Sequence, residues 1–182
     1  MTIGMKRGTV YLENHRDEWE MSAANTIKVI KNILGEFAAD VRHVGSTSIK
    51  SIPAKPIIDI AVGVFDFDAV LSKKDELAAE NIIFRFEERP GQLLFVMGDF
   101  EKDTRTHHIH VVKYGSEEWE NYLNFSDYLN ANPEAAEKYA SLKKVLAENY
   151  PNDRIAYTER KSELISTLLD EARIWRNTLR KS

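Results

Sequence analysis

Three of the five histidines fall within four positions of the segment RTHHIHVV, residues 105 to 112. In an extended strand Thr106, His108 and His110 project from one face, and His107, Ile109 and Val111 from the other. His108 and His110 then stand roughly 7 Å apart, a spacing from which two imidazoles converge on a metal ion or a phosphate, or move a proton near neutral pH. Hydrogen-bonded strand histidines account for the same pattern, so the pair gains weight only if an acid faces it. Asp59 is the candidate, the one carboxylate in PIIDIAV. An ionised group surrounded there only by apolar neighbours would be costly. It shares a strand face with Ile57 and Ala61, and a strand end opening into a cleft would let it reach a metal or a bound hydroxyl. The alternative is a structural aspartate bonded to nearby backbone or arginine.

Upstream lies HVGSTS, residues 43 to 48. Gly45, Ser46 and Thr47 let a backbone approach a ligand closely, and their N–H groups and hydroxyls suit phosphate oxygens; a tight turn satisfied by its own serine and threonine is the competing reading. Neither GxxxxGK[ST] nor GxGxxG occurs, so the two common nucleotide-binding frameworks lose support. Lys55, between Pro53 and Pro56, either meets phosphate or stays on the surface. Arg42, His43 and Arg105 balance a substrate phosphate or pair with Glu87 and Glu88. Lys161, one turn beyond Tyr157, projects toward the same cleft or into solvent. Phe84, Phe86, Phe95, Trp119, Tyr122, Tyr128 and Tyr139 read as core.

The elements that must position these groups follow from apolar periodicity. Trp19, Ala23, Ile27, Ile30, Leu34 and Phe37 predict a helix over residues 17 to 39, with Asp17 and Glu18 at its positive end. A strand over 41 to 44 enters the Gly-Ser-Thr turn. Residues 56 to 64 read as a strand apolar on both faces, hence central in a sheet. A short helix over 68 to 79 precedes strands at 82 to 87, 93 to 97 and 109 to 114. From Ser116 onward the period is helical, with Asn132 and Pro133 starting one helix and a last helix over 154 to 178. The division is an α/β core over residues 1 to 115 and a helical part over 116 to 182 packed upon it.

The chain of 182 residues is 43% hydrophobic, enough for one sizeable core. Its net charge of -4 gives no global field for nucleic acid, and none is expected as a partner. With no cysteine, any metal must rest on histidine and carboxylate oxygen. The N-terminus does not read as a signal peptide and no run spans a membrane, so the expectation is a cytoplasmic protein.

Taken together, HVGSTSIKSIPAKPIIDIAV, RTHHIHVV and the segment from DYLNANPEAAEKY to TERKSELI resemble the GrpB-like family over residues 10 to 172. The match falls on His43, Gly45, Ser46, Thr47, Lys55, Pro56, Asp59, Thr106, His108, His110, Tyr157 and Lys161. The resemblance implies a nucleotidyltransferase-like α/β (α+β) fold, a mixed β-sheet flanked by helices, with a helical C-terminal part. Related segments also look like an extension of dephospho-coenzyme A kinase in some proteins. In the wider superfamily two acids alternate on the strand after the turn, and here the second position is Ala61. Asp99, Glu87 or Glu88 would have to supply the missing carboxylate.

The expectation is thus a nucleotide-binding protein with metal-dependent nucleotidyl transfer from an NTP to an acceptor. Gly45, Ser46 and Thr47 would hold phosphate with His43, Lys55 and Lys161, while Asp59, His108 and His110 hold a divalent cation (Mg, Mn or Zn) and carry the chemistry. The alternatives are a non-catalytic nucleotide or phosphometabolite sensor, for which Ala61 speaks, and a His-assisted phosphohydrolase.

Overall fold

The computed structural model describes residues 3–181, apart from the side chains of Glu88 and Arg89. Helix α1 (Asp17–Leu34) forms where apolar residues recur at three- and four-residue steps, and it buries Trp19, Ala23, Ile30 and Leu34 along one stripe. It ends five residues before residue 39, because Gly35 turns the chain at φ 53° and a short 3-10 turn (Gly35–Phe37) leads directly into strand β2 (Ala38–Val44). Phe37 therefore stands at the surface, 38% exposed, instead of continuing the stripe.

The main sheet has five strands in the order β2-β3-β7-β5-β4, where β3 is Ile58–Val64, β4 Ile83–Arg89, β5 Gln92–Met97 and β7 His107–Lys113. β3 and β7 run parallel at its centre, and the other neighbours are antiparallel. β1 (Met5–Lys6) and β6 (Thr104–Arg105) form a separate two-stranded ladder. Between β3 and β4 the predicted helix is two short ones, α2 (Phe67–Ser72) and α3 (Lys74–Ala79), the first capped by the Asp66 side chain.

The sheet's two faces carry different residues. Ile58, Ile60, Val62 and Val64 of β3 join Val41, Ile109, Val111 and the α1 stripe in the principal core. Ala61 points the other way and packs with Val44, Val112 and Trp119, the last from helix α4 (Glu117–Ala131). Helix α5 (Pro133–Asn149) follows, with Pro133 in its first turn; Asn132 is at the cap position but makes no side-chain capping bond. Residues 154 to 178 do not form one helix. They divide into α6 (Arg154–Glu159) and α7 (Ser162–Leu179). At the joint the Lys161 N–H bonds the Thr158 carbonyl, three residues back, and the Ser162 hydroxyl takes the Glu159 carbonyl at 2.6 Å. A side chain that competes for a backbone acceptor is a recognised cause of such a break.

The chain after β2 is anchored between the two parts. Ile49 and Ile52 are buried against Leu129, Ala136, Tyr139 and Leu168 of α4, α5 and α7. No helix among the described residues is long and apolar enough to cross a membrane.

Candidate metal and anion site

Parallel pairing of β3 with β7 places Asp59 beside His108 and Ala61 beside His110, all on the face that α4 crosses. Side-chain alternation in two hydrogen-bonded strands is thus enough to bring the acid and both imidazoles together. The Asp59 Oδ1 atom lies 3.3 Å from His108 Nδ1 and 3.6 Å from His110 Nε2. The three donor atoms all fall within 4.8 Å of one another, and this is the one such cluster among the described residues. A tetrahedral ion with bonds of about 2.1 Å sets its ligand atoms about 3.4 Å apart, so these separations suit a bound cation better than a short charge-assisted hydrogen bond. Burial opposes ionisation of Asp59, but the two facing imidazoles outweigh it and hold the carboxyl well below the usual carboxylate range.

Gly45 comes within touching distance of this acid. A Cβ there would sit 2.7 Å from Asp59 Oδ2, and the residue has φ 71°, so position 45 needs glycine on both counts. On the other side of the cluster, the Gln92 amide meets His110 Nδ1 at 3.2 Å and Tyr122 Oη at 3.0 Å. A partner on Nδ1 orients the ring and decides which nitrogen faces Asp59.

A cavity of about 280 Å3 opens over the cluster, and cations line its far wall. Lys55, Lys143, Lys161 and Arg154 all face it, and Asp59 is its one acid. No carboxylate of the described residues forms an ion pair with the three lysines; aromatic faces hold them instead. Lys55 and Lys161 place their ammonium groups 5.2 and 4.4 Å from the centre of the Tyr157 ring, and Lys143 lies 4.6 Å from that of Tyr139. Lys143 also donates to the Pro53 carbonyl at 2.6 Å. Burial, reinforced by repulsion from neighbouring cations, lowers Lys143 to about 6 and Lys55 to about 7. Burial brings Lys161 to about 8, with Asp59 pulling against it. Such a set is costly without an anion and favourable with one.

The family model described as GrpB protein matches residues 9–171. The chain belongs to the GrpB family. It is 38% identical to the glutamate-rich protein GrpB of Alkalihalophilus pseudofirmus over 93% of its own length and 99% of that protein's. It is 32% identical to YqkA of Bacillus subtilis, where the alignment takes in 89% of this chain but 47% of the relative. Among solved structures, conserved protein GrpB from Enterococcus faecalis superposes with a TM-score of 0.83 at 30% identity, covering 91% of this chain and 99% of that one. The Cid1 poly(U) polymerase bound to MgGTP superposes at 0.53 and 17% identity, over 75% of this chain and 44% of the enzyme. That likeness is one of fold, and it makes the mixed sheet and its helices nucleotidyltransferase-like.

Within this GrpB fold the predicted site residues separate. Asp59, His108, His110, Gly45, Ser46, Lys55 and Lys161 share the cavity. His43 and Thr47 do not line it. His43 pairs in register with Ile60 on the α1 face, and its Nε2 meets the Thr47 hydroxyl at 2.9 Å. Burial lowers His43 to about 4, so this imidazole is neutral at pH 7. Arg42 pairs with Asp40, and Arg105 with Asp103, so neither uses Glu87. The side chain of Glu88 lies outside the described residues. Asp99 is tied to Lys102 at 2.8 Å on an exposed turn, and Glu87 caps the Gly91 N–H. Neither joins the metal cluster, and the place of a second strand acid is taken by fully buried Ala61.

Lys143, Arg154, Phe125, Thr158 and Tyr139 are cavity residues that sequence reasoning missed or, for Tyr139, assigned to the core. Lys143 carried a signal: it lies four residues after Tyr139 and three before Leu146, on the apolar stripe of α5, where an unpaired lysine is out of place.

Proposed function

We propose that this protein binds a nucleoside triphosphate together with one divalent ion and transfers its nucleotidyl group to a hydroxyl acceptor. The observation that carries the reading is the meeting of three lysines without an ion-pair partner and an Asp-His-His cluster in one cavity. Asp59, His108 and His110 would hold the ion; two imidazoles and one carboxylate favour Zn2+ or Mn2+ over Mg2+, which prefers oxygen donors. When bound, such an ion supplies Lewis-acid polarisation of a phosphoryl oxygen. Gly45 and Ser46 give the phosphates a wall of small residues, and Lys55, Lys143, Lys161 and Arg154 carry their charge. In the transfer, an acceptor hydroxyl oxygen bonds to the α-phosphorus as the bond to the β-bridging oxygen breaks. Pyrophosphate leaves with that electron pair beside the lysines, and the acceptor's proton passes to solvent. The cations thereby meet charge that a second metal ion would otherwise neutralise.

Titration of the protein with Mn2+ or Zn2+, followed by ATP, tests this. Asp59→Asn is expected to weaken metal binding at least tenfold and to remove the metal dependence of ATP binding. Unchanged metal affinity in that variant sinks the assignment. Ala61 favours a second reading on the same site, nucleotide binding without turnover. Absence of pyrophosphate release from any NTP across a panel of hydroxyl acceptors, with binding intact, selects it.

A further inference from the structure

A second concavity of about 370 Å3 adjoins the first and shares Gly45 and Phe125 with it. Its wall is one face of α4, where Glu118, Asn121, Tyr122 and Phe125 recur at helical spacing, and Ile165 and Leu169 of α7 close it. Two aromatic rings and two branched aliphatic side chains make a slot suited to a flat ring. One of these lining residues holds an unsatisfied atom: Asn121 Oδ1 is buried without a hydrogen-bond partner. A buried acceptor left unpaired is costly, and turning the Asn121 amide toward a ligand N–H in the groove would relieve it. The Glu118 carboxylate, one turn away on the same face, adds a second acceptor.

We infer that this groove is the base subsite of the nucleotide whose phosphates occupy the lysine cavity, and that it takes a base carrying an exocyclic amino group. The inference rests on the nucleotide reading above and specifies its other half. An amino group offers hydrogens to Asn121 Oδ1 and Glu118. Uracil's one ring N–H in reach is flanked by carbonyl oxygens, which would face those same acceptors and be repelled. Gly45 lies at the junction of the two concavities, and Gln92 ties His110 of the metal cluster to Tyr122 of the groove wall. A ring in the groove and an ion on the cluster would therefore bear on the same amide.

The test is calorimetric binding, with Mn2+ present, of ATP, CTP, GTP, UTP, tripolyphosphate and the four nucleosides to the full chain and to Asn121→Ala and Leu169→Trp. At least one of ATP, CTP and GTP is expected to bind about tenfold tighter than UTP and tripolyphosphate. Asn121→Ala should erase that margin and Leu169→Trp should block the ring, while both variants keep tripolyphosphate affinity, which also reports that they fold. Equal binding of all four NTPs and tripolyphosphate overturns the groove assignment and leaves the anion cavity standing. Binding of amino-bearing nucleosides without any tripolyphosphate binding supports the groove and overturns the cavity. If neither class binds, both are overturned.

Discussion

Asp59 keeps its charge in a half-buried position because two imidazoles face it, and Gly45 is what allows it to lie where it does. Replacing that glycine tests the contact directly. Gly45→Ala combines a left-handed backbone with a Cβ 2.7 Å from the carboxylate, and the expected outcome is a loss of about 1–2 kcal/mol in denaturant unfolding together with weaker metal binding. A variant as stable as the parent with full metal affinity contradicts the account. At this scale much of the site was legible. Alternation alone put His108 and His110 on one face, and an acid inside an apolar run singled out Asp59. His43 and Thr47 were not separable from Gly45 and Ser46 by motif, because the chain reverses within the turn and sends their side chains to each other on the far side of the sheet.

The helices decide what surrounds that cluster. Lys143 comes from the middle of α5 and Lys161 from the joint between α6 and α7, while Lys55 arrives on the loop before β3. Their meeting depends on how α5 and α6 settle against the loop that carries Pro53. Lys143→Met keeps the volume and removes a buried amine that is costly to protonate. At pH 6 it should stabilise the ligand-free protein by about 0.5–2 kcal/mol, seen as a higher thermal midpoint, and should weaken tripolyphosphate binding at least tenfold. A destabilised variant that still binds normally would show that Lys143 is structural. The break at Lys161 was missed because Tyr157 and Leu164, seven residues apart on either side of it, stay in helical phase across the polar residues between them. The competition of Ser162 for a backbone carbonyl marks the place in the structure.

For the molecule as a whole, the buried lysines make stability and binding depend on pH in defined directions. Their folded pKa values, about 6 to 8, lie below the free value of 10.5, so the unfolded chain binds more protons over that interval. Ligand-free stability should therefore rise as pH increases from about 6 towards 10, which unfolding curves across that range can check. A bound polyphosphate raises the same pKa values, so binding at pH 8 should take up protons; calorimetry in buffers of different ionisation enthalpy measures this, and zero uptake would mean that the lysines are not the phosphate contacts. The sequence by itself determined the five strands of the main sheet, the mixed α/β class, the family and the Asp59, His108 and His110 triplet, because strand periodicity and adjacency along the chain are local properties; the two-residue strands β1 and β6 are too short to show a period. The tertiary structure alone decided that no second strand acid stands beside Asp59 among the described residues, that three lysines from distant segments line the same cavity, and that a second concavity adjoins it. Those features arise from contacts between residues as far apart as Pro53 and Lys143, and no spacing rule along the chain encodes such a meeting.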